Sequence, residues 1–349
     1  MAYRFKLNES AGKALLRTGA EQFRCALESL RDADTTSGIH GTRKCIKRLR
    51  ALLRLARPGL HKSSYQNLNA TLRDAGRALS ATRDRDVLLA TIAELSADSP
   101  EQQPTLRRIS STIAPAGETA NSKPYAGVIR QARALLQAAA TDWETLELSD
   151  DAFPTLAEGL ARGLLDVGEA FEATESGDEE AFHDLRKTVQ RHWRHMRLVE
   201  AGWPAYFVAR ADEAKTISEL LGKAQDLTLL LRHLGDDGPA SVSEDALARL
   251  RETVKERRAA LQESARSHTR RLLAEGPRAH ARRATEYWTA ARTLRKNRTA
   301  KTVEVPAKEA AAAVSTTAVT PPPCKRSPRP RPTVAKRSSG KAQSPRKPA

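Results

Sequence analysis

Aromatic residues are scarce, with six Phe, five Tyr and four Trp in 349 residues. Any core must therefore come from Leu, Ala, Val and Ile, a composition that suits helix-on-helix packing. So few rings also argue against stacking unpaired bases. Only three cysteines occur, Cys25, Cys45 and Cys324. They lie far apart in sequence, their number is odd and no CxxC pair is present, so neither a disulfide framework nor a thiolate zinc site is expected. No apolar run approaches the roughly 20 residues that span a bilayer, and the opening Met-Ala-Tyr-Arg-Phe-Lys-Leu-Asn lacks the apolar centre of a signal peptide. A soluble cytoplasmic protein without a membrane span is the expectation. Signatures of chemistry are missing too. There is no GxxxxGK[ST] phosphate loop, no HExxH and no ExExK pattern, so neither catalysis nor a cofactor is expected.

Acid is outnumbered, with 42 Asp and Glu against 59 Lys and Arg, a net charge of +17 and a pI near 10.1. That imbalance directs attention to anionic partners: nucleic acid, polyphosphate or an acidic membrane surface. It says little about the fold. The 40% hydrophobic content is enough for a sizeable core. Helical periodicity covers residues 8–31, 37–57, 61–80, 83–96, 124–141, 153–173, 178–201, 205–222, 226–234, 243–274 and 278–298, with no strand alternation. Proline and glycine punctuate the breaks, as at Pro58-Gly59, Gly235 to Pro239 and Gly276-Pro277.

One basic helical stretch occurs twice. The first copy runs His40-Gly-Thr-Arg43-Lys44-Cys-Ile-Lys47-Arg48-Leu-Arg50, and the second His183-Asp-Leu-Arg186-Lys187-Thr-Val-Gln190-Arg191-His-Trp-Arg194. At roughly 100° per residue, Arg43, Lys47, Arg50 and Arg54 fall within an arc of about 80° that includes His40. Ile46, Leu49, Leu52, Leu53 and Ala56 fall opposite, so the helix can bury one face and present a ladder of cations on the other. In the second copy Arg186, Arg194 and Arg197 share the side of His183, with Lys187 flanking and Gln190 replacing a base. A second pair of landmarks follows each ladder: Leu79-Ser-Ala-Thr-Arg83-Asp84-Arg-Asp86 and Leu221-Gly-Lys-Ala-Gln225-Asp226. His40 precedes Asp84 by 44 positions and His183 precedes Asp226 by 43. Such matched order predicts an internal duplication, approximately residues 1–142 and 143–299, packed as a pseudo-symmetric pair.

The paired motifs resemble the CHAD family, whose helical domain carries an HxxR-type basic helix followed by an LGxxRDxDV-like segment in each of two copies. The likeness runs over roughly residues 1–298. It implies an all-α helical bundle that binds inorganic polyphosphate through His40, Arg43, Lys44, Lys47, Arg50, Arg54, His183, Arg186, Lys187, Arg194 and Arg197. Arg83, Asp84 and Asp226 would act in support, and association with polyphosphate granules follows from the same likeness. Ser80 departs from the pattern in the first copy, and Gln190 and Gln225 depart from it in the second, the latter pair pointing to a weaker second copy.

Chemistry fits a phosphate chain, since Arg offers a planar fork and Lys a point charge for phosphate oxygens. Two ladders facing each other would form a positive groove whose self-repulsion is relieved by an entering anion. The plainer readings are a solvated basic face, packing roles for His192, His195, Trp193 and Trp203 rather than metal ligation or stacking, and helix-start bonding by Asp84 and Asp86 rather than a DxD metal site. After residue 300 the sequence turns Ala-, Pro- and base-rich, with nine Lys or Arg and no acid in 324–349. That composition predicts a disordered basic tail over 300–349. The tail makes DNA phosphates the alternative partner, held without reading bases, which would place the protein on the nucleoid.

Overall fold

The computed structural model describes residues 3–31, 36–79, 84–113, 125–235 and 242–304. Among these there is no strand, and the fold is all-α. The helices are α1 (Ala11–Ser29), α2 (Thr36–Ala56), α3 (Lys62–Ala78), α4 (Asp84–Asp98), α5 (Gln103–Ile113) and α6 (Tyr125–Glu144). They continue with α7 (Phe153–Ala173), α8 (Glu179–Val199), α9 (Pro204–Leu234), α10 (Glu244–Leu273) and α11 (Pro277–Glu304). Contacts divide the chain into residues 1–299, a compact unit, and 300–349. Of the latter only 300–304, within α11, are described. The expected disordered tail otherwise lies outside the described residues.

Local signals explain where the helices begin. The Ser10 hydroxyl accepts from the Lys13 amide to open α1. The Asp178 carboxylate accepts from the Glu180 amide to open α8, and Glu179 and Glu180 add negative charge to its positive end. Proline occupies the first turn of α7 and of α9, where its missing N–H is no loss.

Two helix quartets share a packing pattern. In the first, α1 packs on α2, α2 on α3, α3 on α6, and α6 returns to α1; in the second, α7, α8, α9 and α10 repeat the circuit. The principal core joins Leu15, Phe23, Leu49, Leu52, Leu72, Leu136 and Trp143 to Leu156 and Leu160 of α7. A smaller core lies among Val167, Leu185, Val189, Ile217 and Leu272. Each fully buried Leu contributes about 2 kcal/mol relative to exposure, so the quartets are held by aliphatic packing, as the shortage of rings requires. The quartets meet where α7 and α8 cross α2. A Cβ on Gly159 of α7 would fall on the Leu55 carbonyl of α2, so that crossing needs a residue without a side chain.

Two expectations are corrected. The segments 205–222 and 226–234 are not two helices but the single α9. Gly222 lies inside it because the Arg186 guanidinium packs where a Cβ would stand; the glycine marks a close approach and not a break. The helix α5 was not expected. Its Ser110-Ser111-Thr112 run weakens the propensity signal, yet each hydroxyl bonds back to a carbonyl three residues earlier, and Leu106, Ile109 and Ile113 are buried. They pack in a third core with α4 and the α9–α10 pair. In the antiparallel α1–α2 pair, Cys25 and Cys45, remote in sequence, stand at the same level as free thiols. Gly41 lies against Ser29, the Thr42 hydroxyl donates to the Ala26 carbonyl at 3.2 Å, and Arg48 donates to the Gln22 side chain at 3.2 Å.

Candidate functional site

The crossing of α7 and α8 over α2 divides the cationic ladder. His195 of α8 is fully buried and its Nε2–H donates to the Ala51 carbonyl of α2 at 2.9 Å. Burial pushes its imidazole down to about 3, so the ring is neutral and bridges the two helices without charge. His192, also buried, stands 5.5 Å from His280 of α11, ring centre to ring centre, and burial likewise lowers both. These histidines pack; they do not face an open site.

On one side of the crossing, the N-terminal half of α2 and the C-terminal half of α8 enclose an open pocket of about 610 Å³. That is many times the roughly 30 Å³ of one liquid water, so it is a cleft and not a packing defect. From α2 come His40, Arg43, Lys44, Lys47 and Arg48; from α8 come Trp193, Arg194 and Arg197; Tyr3, Arg4 and Glu200 complete the wall. Among the described residues, seven Lys or Arg thus surround it against one carboxylate.

Aromatic rings and backbone carbonyls hold these cations. The Arg48 guanidinium lies 5.3 Å from the Tyr3 ring centre, and Arg194 lies 5.3 Å from that of Trp193. The Tyr3 hydroxyl donates to the Arg48 carbonyl at 2.8 Å, and burial raises its pKa, keeping it a donor. Phe5, buried, donates its amide to the Leu198 carbonyl at 2.8 Å and straps the N-terminal segment to the end of α8. Arg43 donates to the Leu79 carbonyl at 2.9 Å, and Arg194 to the Gln190 carbonyl at 2.6 Å. Burial lowers the Arg194 pKa to about 10, helped by nearby Arg48, which leaves it charged at neutral pH. Lys44 and Lys47 are exposed. Among the described residues, Lys44, Arg48 and Arg194 have no carboxylate partner, whereas Arg197 bonds Glu200 and Asp212, both at 3.2 Å.

The structure therefore gathers His40, Arg43, Lys44, Lys47, Arg194 and Arg197 from the expected set and leaves the others elsewhere. Arg50 and Arg54 lie past the crossing, where Arg50 donates to Asn69 at 3.4 Å. Burial and the charges of Arg54, Arg191 and Arg73 lower the Arg50 pKa. Arg191 in that cluster bonds Asp166 at 2.5 Å. His183 is half-buried and outside the pocket. Arg186 donates to Gln225 at 2.7 Å, and Lys187 is paired with Asp184 at 2.8 Å and Glu180 at 3.3 Å. In place of the single groove expected along both whole ladders, the pocket takes in only one end of each, with Arg50 and Arg54 lying beyond the His195–Ala51 contact. Asp226 lines a separate small recess with Glu94, Lys223 and Arg257. Arg83 and the side chains of Asp84 and Asp86 lie outside the described residues.

Sequence reasoning missed Tyr3, Arg4, Arg48 and Glu200 and took Trp193 for packing alone. Arg48 falls about 80° from His40 on the helical wheel, at the margin of the stripe. The Tyr3-Arg4-Phe5-Lys6 alternation carried a signal: it buries Phe5 while Arg4 reaches the pocket.

Comparison with known proteins places this geometry. The sequence profile of the CHAD domain matches residues 14–235, which span α1 to the end of α9. The crystal structure of the CHAD domain from the plant Ricinus communis is similar, at TM-score 0.52 and 17% identity, over 77% of this chain and 94% of that one. PptA from Streptomyces chartreusis superposes at TM-score 0.52 and 14% identity, over 76% of this chain and all of the other. At these identities the likeness is one of fold. No curated protein matches the chain in sequence. Among the described residues no helix is long and apolar enough to cross a membrane.

Proposed function

The chain belongs to the CHAD domain family, and on that footing we propose that it binds inorganic polyphosphate without chemically altering it, in the pocket between α2 and α8. The observation that carries this reading is the enclosure of one open cleft, among the described residues, by seven bases and a single carboxylate. A linear anion with a charge on every repeat meets there exposed Lys44 and Lys47, which can follow it as point charges. It also meets Arg48 and Arg194, whose stacked guanidiniums are already ordered and lose little freedom on binding. Like-charge repulsion among these groups in the free protein is relieved when phosphate enters. His40, at the rim, donates a hydrogen bond when neutral and adds charge when protonated. Association with polyphosphate-rich bodies in the cell follows from such binding.

Duplex DNA is the alternative partner, favoured by the exposed Arg295 and Lys296 at the end of α11 and by the tail's charge. The two readings separate in one experiment on the full chain. Long-chain polyphosphate and duplex DNA are titrated against wild type and the Lys44→Glu/Lys47→Glu variant at two salt concentrations. Polyphosphate affinity should fall at least about tenfold on reversal, with a shallower salt dependence by analogy with phosphate contacts in nucleic acids, while DNA affinity changes little. Equal losses for both polymers, or none for polyphosphate, would reject the pocket. Polyphosphate recovered after incubation with protein and magnesium should keep its length.

A further inference from the structure

The α1–α2 register places two thiols at one level of the helix pair. Gly41 against Ser29, Thr42 bonded to Ala26 and Arg48 bonded to Gln22 bracket the Cys45 position and set it opposite Cys25. Both cysteines are free thiols; Cys25 is exposed and Cys45 buried. Cys45 belongs to the turn of α2 that carries Lys44 and Arg48 into the pocket, yet its own side chain points away, into the core.

We infer that Cys25 and Cys45 form a peroxide-sensitive dithiol that closes to a disulfide, stapling α1 to α2 behind the cationic pocket. The inference stands independently of what the pocket binds. Hydrogen peroxide is the oxidant. The Cys25 thiolate attacks one peroxide oxygen, the O–O bond breaks, and the departing hydroxide takes up a proton and leaves as water, giving Cys25 sulfenic acid. The Cys45 sulfur then attacks the Cys25 sulfur, the S–O bond breaks, and the leaving hydroxyl departs as a second water with the Cys45 proton. Two thiols and one peroxide thus become one disulfide and two waters. The division of labour follows from burial. Exclusion from solvent and the adjacent Cys25 push the Cys45 thiol up to about 12, so it does not react with peroxide first; exposed Cys25 does. A link between helices restrains the chain between them, whereas a thiol oxidised alone restrains nothing.

Full-length protein treated with hydrogen peroxide should lose two hydrogens in intact mass. Non-reducing peptide mapping should join the Cys25 and Cys45 peptides, with Cys324 still a free thiol. The oxidised form should melt about 5 °C higher, and dithiothreitol should reverse the gain. In Cys45→Ala, Cys25 should pass to sulfenic and sulfinic acid with no link, while Cys324→Ser should close as wild type does. Wild-type protein in which Cys25 is over-oxidised beside a free Cys45, in which links form to Cys324 or between chains, or in which oxidation lowers the melting point, would overturn the inference.

Discussion

The two copies of the basic helix meet different surroundings. On α2, Lys44 and Arg48 face an open cleft and have no carboxylate partner among the described residues. On α8, Lys187 sits between Glu180 and Asp184, Arg186 is turned onto Gln225 over Gly222, and Arg191 holds Asp166. Nearly the same motif therefore leaves charge available in one copy and satisfies it internally in the other. Availability is decided by what stands opposite a cation, because a base already bonded to carboxylates gains little from exchanging them for phosphate. The second ladder still reaches the cleft through its far end, where Arg194 has no carboxylate partner among the described residues while Arg197 is held by Glu200 and Asp212.

The contrast depends on the crossing, so the crossing is the place to break it. Gly159→Ala drives a methyl group into the Leu55 carbonyl of α2. It should cost about 3 kcal/mol in denaturant unfolding and weaken anion binding through the loss of the shared pocket wall; unchanged stability would mean the two helices can separate without penalty.

A pH test is gentler. The neutral His195, lowered from 6.5 to about 3, and the lowered His192 and His280 refuse protons in the fold that they accept once unfolded. Their contribution is fully present above about pH 6.5 and is lost as pH falls below it, for His195 down to about 3 and by up to about 1.4 kcal/mol per pH unit. Melting temperature should accordingly drop between pH 7 and 4.5, and less steeply in His195→Gln, whose amide can still donate to Ala51. An identical slope in that variant would remove His195 from the account. The smallest effect is expected at Lys187. Because its charge is already paired, Lys187→Gln should change polyphosphate affinity less than about twofold at physiological salt, far less than reversal of Lys44 and Lys47; a loss as large would mean that the second copy binds as well.

Much of the fold was legible because helical periodicity is local. Boundaries of α7 coincide with expectation, and those of α2, α8 and α10 fall within a residue or two. The uninterrupted α9 was not legible, since a glycine reads as a break unless the residue packed against it, Arg186, is known. In the site, His40 to Lys47 could be found from their shared face with Arg54. That the ladder would be cut at Ala51 could not, because the cut is made by His195 and Gly159, more than 100 positions along the chain.

By itself the sequence determined that the chain is helical, basic and carries one basic motif twice, with cations on one face of each ladder, since composition and angular spacing follow from residue order alone. Only the tertiary structure decided which cations gather and which are neutralised. Crossing angle, carboxylate placement and the meeting of Tyr3, Arg48, Trp193 and Arg194 around one cleft arise from contacts between remote segments, and electrostatic energy depends on those distances and not on position along the chain.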